Sequence, residues 1–296
     1  MPRVLINLNG AASVARGLGR GIDAQTVDLE TRHFPDGEHY LRLAGPLKGA
    51  DVIVLCGLEQ PDQHLLPLLL LAAEAREQGA ASIGLVAPYL SYMRQDKRFH
   101  AGEIVTSRHF AQLLSRHFDW LVTVDPHLHR YHALEQIYSI PCRVLHAAAL
   151  LGEWLTDSND VFLVGPDAES EQWVSAMGRH AGLPWVTASK QRLGDHSVQV
   201  TLPDLAAMAG RRPVLVDDVI SSGMTMLRTL EGLAETGFSA STCLCIHGLF
   251  AENSDDLLAK AGATLVSCNT IAHASNRLDV TGLLVPAVAG LLATDR

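Results

Sequence analysis

The sequence predicts an α/β fold of two similar domains, each a mostly parallel sheet flanked by helices. Three observations carry this. Short Val-, Leu- and Ile-rich runs alternate with helical stretches along the whole chain, the rhythm of successive βαβ units. The rhythm begins again beyond residue 145. Hydrophobic residues make up 48% of the 296, but aromatic ones only 5%, which suits α/β layers better than a β-sandwich.

Taken in order, Val4–Leu8 is the first strand-like run, and a helical pattern follows near 11–20. Val52–Cys56 leads into a long apolar helix over 61–78. Ser82–Pro88 leads into a polar loop and then a helix near 105–118. Trp120–Val124 ends in Asp125 and precedes a helical stretch near 130–137. The boundary falls near 145, giving domains 1–145 and 146–296, with Ala147–Leu155 opening the second. Val161–Val164 ends in Gly-Pro-Asp167, before a helix near 169–181. Val214–Val216 ends in two carboxylates, before a helix near 225–236. Thr242–Ile246 and Thr264–Cys268 supply the last strands.

The polar residues gather at strand ends: Asp125 and His127, Asp167, Asp217 and Asp218, and His247. Open α/β sheets bind ligands outside the carboxyl ends of their strands. The run VLVDDVISSGMT (214–225) is the most informative stretch. Loop amides and hydroxyls at a helix N-terminus can hold a phosphate. Adjacent carboxylates can hold ribose hydroxyls or a hydrated magnesium ion. Together they suit a sugar phosphate, while the plainer reading is a strand, a turn and an N-cap. No GxxxxGK[ST] occurs, and Gly17, Gly19 and Gly21 follow a helical pattern with the wrong spacing for a dinucleotide fingerprint.

On these residues the chain resembles the ribose-phosphate pyrophosphokinases, enzymes of phosphoribosyltransferase-type fold, over nearly its whole length. The resemblance implies transfer of the β,γ-diphosphoryl group of ATP to the C1 hydroxyl of ribose 5-phosphate. Phosphoribosyl pyrophosphate (PRPP) and AMP are then the products, and Mg²⁺ is required. Asp217, Asp218, Ser221, Ser222, Gly223, Met224 and Thr225 match the ribose 5-phosphate motif. Met224 stands where the family commonly has a second Gly, and would be strained there if that position needed a positive φ. Phe34-Pro-Asp-Gly-Glu38 is by itself a hairpin turn. The resemblance makes it the adenine contact, through Phe34, Asp36 and Glu38, commonly across a subunit boundary. In the stretch 88–98, Arg94 and Gln95 match ATP-contacting positions, and Asp96 extends that loop. His127 matches the family's His beside the magnesium-bound ATP, and Asp167 the Asp of V-x-P-D near metal or ribose. Lys190 and Arg192 match the catalytic loop's K-x-R element. In an extended segment they would face one way. The loop is short, as in archaeal-type members.

The net charge of −9 argues against nonspecific nucleic-acid binding. The N-terminus has no signal-peptide pattern, and the longest apolar run, Leu65–Ala73, is too short to cross a bilayer. The five cysteines form no CxxC and fit a reducing cytoplasm. The expected partners are ATP and ribose 5-phosphate, with neither nucleic acid nor membrane, in a homo-oligomer that is a dimer or a multiple of dimers. Three rivals remain at this point. The His127–His129 pair is also a zinc-hydrolase feature. A catalytically silent regulatory subunit would be expected to lose the loop cations. A simple phosphoribosyltransferase would leave the two similar halves unexplained.

Overall fold

A computed structural model describes residues 1–156, 158, 160–192, 198–238 and 241–294. The chain divides into two units. One is Met1–His146 with Thr270–Ala272 and Val280–Arg296; the other is Ala147–Asn269 with His273–Asp279.

The first unit comprises β1 (Arg3–Asn7), α1 (Ala12–Gly21), β2 (Gln25–Val27), β3 (Leu29–His33), β4 (His39–Leu43), β5 (Asp51–Leu55), α2 (Pro61–Glu77), β6 (Ser82–Ala87), α3 (Thr106–Ser115), β7 (Trp120–Val124) and β8 (Cys142–Leu145). Its main sheet is parallel throughout, in the order β2-β1-β5-β6-β7-β8. Every residue of β5, β6 and β7 is buried. Strands covered on both faces can be apolar at every position, and that produces the runs seen in the sequence. The expected helix near 130–137 is instead a single 3₁₀ turn, Leu134–Gln136, entered from an extended Ala133. Leu128, Tyr131, Leu134 and Ile137 imitate a helical stripe, and all of them meet the core. Arg130 and Tyr131, however, are held by side-chain bonds to Asp96 and its backbone carbonyl, and these tertiary anchors override the local period.

The second unit comprises α4 (Ala148–Leu155), β9 (Val161–Gly165), α5 (Glu171–Ala181), β10 (Trp185–Thr187), β11 (Ser189–Arg192), β12 (Val198–Thr201), β13 (Arg212–Ile220), α6 (Met224–Glu235), β14 (Ser241–Gly248), α7 (Ser254–Lys260), β15 (Ala263–Cys268) and β16 (Asn276–Leu278). Its parallel sheet runs β10-β9-β13-β14-β15-β16, and β11 and β12 form a separate antiparallel ribbon. Here β13 is longer than expected. It does not stop before the acidic pair but continues to Ile220, because β14 accompanies it as far as Gly248. On its other side β9 pairs only as far as Leu215. Asp217 and Asp218 therefore stand on an overhang of β13, past the end of its pairing with β9.

The last helix, α8 (Thr281–Thr294), packs on α1, β7 and β8 of the first unit, whereas a division at 145/146 puts it in the second domain. Two of the three glycines excluded as a nucleotide fingerprint, Gly17 and Gly21, make this contact. A Cβ on Gly17 would lie 2.5 Å from Thr281 Cγ2, and one on Gly21 2.4 Å from Val285 Cγ2. Only glycine lets the two helices approach this closely.

Candidate active site

In the second unit, three acidic residues and a small-residue loop meet at the carboxyl edge of the sheet. Asp167 lies two residues past the end of β9, and Asp217 and Asp218 stand on the overhang of β13. Asp217 Oδ1 accepts the backbone N–H of Asp218 at 3.0 Å. Asp217 is half-buried, and desolvation is the largest effect pushing its carboxyl well above the usual carboxylate range. The charges of Asp218 and then Asp167 push the same way. This edge therefore concentrates negative charge that a cation or sugar hydroxyls would relieve. Asp167 is fixed by its own helix start: its Oδ1 accepts the N–H of Ser170 at 3.2 Å, and its carbonyl accepts the Ser170 hydroxyl at 2.5 Å.

The loop Ser221–Gly223 turns from β13 into α6. Gly223 takes the left-handed backbone (φ 68°) and, lacking a side chain, offers no cap. Met224 is the first helical residue and has no positive φ, so the conditional strain at this position does not arise. The first bond of the helix runs from the N–H of Leu227 to the carbonyl of Gly223 at 2.8 Å. The amides before it are left for a ligand, and the helix dipole favours an anion there. Ser221 and Thr225 are half-buried, and Ser222 and Met224 are exposed.

In the first unit the candidates lie on three segments. Phe34, Asp36 and Glu38 occupy the tip of the β3–β4 ribbon, where the N–H of Phe34 bonds the carbonyl of Glu38 at 2.8 Å. The ribbon is not hydrogen-bonded to the main sheet. Phe34 is 41% exposed, edge-on to Tyr40, with the Arg32 guanidinium 4.9 Å from its ring centre. Arg94 and Gln95 follow β6, and the Arg94 side chain is exposed. Their loop is tied down at both ends. The Tyr92 hydroxyl donates to Asp62. Asp96, its side chain only 1% exposed, pairs with Arg130 at 2.7 Å. The Ser107 and Tyr131 hydroxyls are 3.1 Å apart, and the latter donates to the Asp96 carbonyl at 3.2 Å. Asp96 thus faces protein, and joins the Arg94–Gln95 loop to the segment bearing His127.

That segment begins at Asp125, buried with a left-handed φ of 35°, whose carboxylate lies 2.8 Å from His146 Nδ1. His127 and His129 follow with rings stacked at 6.1 Å. Among the described residues no group of three or more His, Cys, Asp or Glu is arranged to hold a metal, and the zinc reading has no further ligands there. Lys190 and Arg192 stand two apart on β11, in register with Val200 and Val198. Their side chains lie outside the described residues. Arg130, which pairs with Asp96, and the segment 249–254, which bonds Ile220 and Ser221, were not legible in these supporting roles, because such long-range contacts leave no spacing pattern.

Known proteins match along both units. The N-terminal domain of ribose phosphate pyrophosphokinase matches residues 3–117, and the phosphoribosyl transferase domain matches residues 133–280. The ribose-phosphate pyrophosphokinase of Sulfolobus acidocaldarius is 30% identical, covering 93% of this chain and 96% of its own. That of Methanopyrus kandleri is 29% identical, covering 97% and 99%. The crystal structure of phosphoribosylpyrophosphate synthetase from Mycobacterium smegmatis superposes with a TM-score of 0.83 at 23% identity, over 99% of this chain and 100% of that one.

Proposed function

The chain belongs to the ribose-phosphate pyrophosphokinase family and converts ATP and ribose 5-phosphate to PRPP and AMP, and from that premise we propose how its residues divide the reaction. The ribose C1 oxygen attacks the β-phosphorus of ATP, the bond from that phosphorus to the α,β-bridging oxygen breaks, and AMP leaves. Phosphoryl transfer of this kind asks for alignment and charge stabilisation, so no covalent nucleophile is assigned.

The observation that carries the assignment is the acidic overhang of β13 running straight into an uncapped helix start. Loop 221–225 binds the 5-phosphate through its free amides and the Ser and Thr hydroxyls. Asp217 and Asp218 receive the ribose hydroxyls. Arg94, Gln95 and His127 serve ATP, and Phe34, Asp36 and Glu38 hold the adenine of a neighbouring subunit's site. Lys190 and Arg192 neutralise charge on the transferred group.

Carboxylate oxygens, one of them crowded by two like charges, suit Mg²⁺, which takes only one or two carboxylates and keeps water and substrate phosphates as its other ligands. Asp167 and His127 are the residues assigned to metal. When bound, Mg²⁺ supplies charge neutralisation along the diphosphoryl group. Asp217 and Asp218 orient the ribose hydroxyls, and the 221–225 amides hold the phosphate end so that C1 is presented to ATP.

Among the described residues no helix is long and apolar enough to cross a membrane. A cytoplasmic enzyme acting as a dimer or a multiple of dimers, without nucleic acid, fits the acidic composition and the exposed adenine hairpin. The test is to incubate the protein with ATP, Mg²⁺ and ribose 5-phosphate and follow PRPP and AMP together. Lys190→Ala and Arg192→Ala should each slow turnover about a hundredfold with the fold intact. Near-normal turnover in either variant would remove that residue from the reaction.

A further inference from the structure

Behind the phosphate loop runs a segment that the mechanism so far leaves idle. Between the end of β14 and the start of α7, Phe250, Glu252 and Asn253 all take left-handed backbone, with φ of 44°, 58° and 59°. Side chains rarely adopt that region, and it persists only where surrounding contacts dictate it. The backbone hydrogen bonds of this turn run to the end of β13 and to the loop that follows it. The carbonyl of Ile220 accepts the N–H of Leu249 at 3.0 Å and that of Phe250 at 3.1 Å. The carbonyl of Ser221 accepts the N–H of Ala251 at 3.0 Å and the Ser254 hydroxyl at 2.8 Å. Ser254 is buried, and its Cβ lies 2.9 Å from where a side chain on Gly223 would begin.

The consequence follows from the peptide bond. In a trans peptide the C=O and the next N–H point in opposite directions. Two donors on the Ser221 carbonyl turn it toward segment 249–254 and so turn the Ser222 N–H away from it. The two donors on Ile220 do the same for the Ser221 N–H. Successive amides facing the same open side form an anion-binding nest. We propose that Ser254 is a positioning residue for the 5-phosphate: its hydroxyl sets the 221–222 peptide plane before the substrate arrives. This rests on the assignment of the phosphate to loop 221–225.

The remainder of the segment is braced independently. His273 Nε2 lies 3.2 Å from Asp255 Oδ2, and Nδ1 accepts the N–H of Ser275 at 3.1 Å. The His273 ring packs on Phe250 at 4.5 Å. Loss of one hydroxyl therefore leaves the segment in place and the Ser221 carbonyl with a single donor, the N–H of Ala251, so the 221–222 peptide plane is held less firmly.

The test is ribose 5-phosphate binding by calorimetry, with steady-state kinetics and thermal unfolding, on the full chain and on Ser254→Ala, Ser254→Thr and Thr225→Ala. One ordinary hydrogen bond corresponds to roughly two- to tenfold in affinity. Ser254→Ala should raise both Kd and KM for ribose 5-phosphate about fivefold, leave kcat and the KM for ATP within twofold, and move the melting temperature little. Ser254→Thr should restore binding. A drop in melting temperature with kcat and both KM values changing together would make Ser254 merely structural and overturn the proposal. If Thr225→Ala weakens binding while Ser254→Ala does not, the positioning role is wrong and the phosphate site stands. If neither variant weakens binding, the phosphate lies elsewhere and both fall.

Discussion

At the residue scale, the most consequential group is Asp217, whose carboxyl is pushed up by desolvation and by its acidic neighbours. A carboxyl with a raised folded-state value contributes its stability at pH below the ordinary carboxylate range. That contribution is lost as pH rises through the raised value. Asp217→Asn removes the loss. Without ligands, the variant should therefore match the wild type at acid pH and out-melt it increasingly as pH rises. The margin should reach roughly 2–4 °C, the effect of about 1 kcal/mol on a domain of this size, while turnover falls sharply. A melting difference that did not change with pH would show that Asp217 bears no such cost. Asp96, by contrast, has a cationic partner, because its carboxylate pairs with Arg130. Asp96→Ala leaves a guanidinium without its partner and should cost about 1–3 kcal/mol, with a raised KM for ATP and an unchanged KM for ribose 5-phosphate. Lost ATP affinity at full thermal stability would instead make Asp96 a direct ligand.

At the scale of elements, legibility followed burial. β5, β6 and β7 are enclosed by protein, so their runs of Val, Ile and Leu could be read without any partner in view. The β3–β4 turn was legible because Gly37, with φ 93°, sits where Pro-Asp-Gly puts it. What escaped were features set at a distance: the overhang of β13, which depends on the length of β14, and the missing helix near 130–137, which depends on Asp96. Loop 221–225 shows both cases. Its residues were legible, yet the left-handed turn falls on Gly223, and Met224 is ordinary helix. Met224→Gly should then only add freedom to the unfolded chain and the first turn, at about 0.5–1 kcal/mol. Calorimetry with a nonhydrolysable ATP analogue should show two- to fivefold weaker ribose 5-phosphate binding. Tighter binding would mean that the helix start is strained after all.

For the whole molecule, the β3–β4 ribbon bears on assembly. A two-stranded ribbon outside the main sheet is marginal alone, and β3 is exposed from Glu30 to His33. The smallest active species should be a dimer, with Phe34→Ala raising the KM for ATP; a fully active monomer by light scattering under assay conditions would contradict this. The closing helix α8 was the least legible large feature, since a nearly continuous apolar stretch does not say which unit it covers. That helix also bears on how the chain is made. A ribosome completes residues 147–279 before it reaches 281–294, and the glycine face of α1 has waited since the first turns emerged. The usual N-terminal-first order of folding during synthesis therefore cannot complete the first unit: its closing helix is among the last residues made, and a chain stalled before residue 280 leaves the glycine face of α1 uncovered.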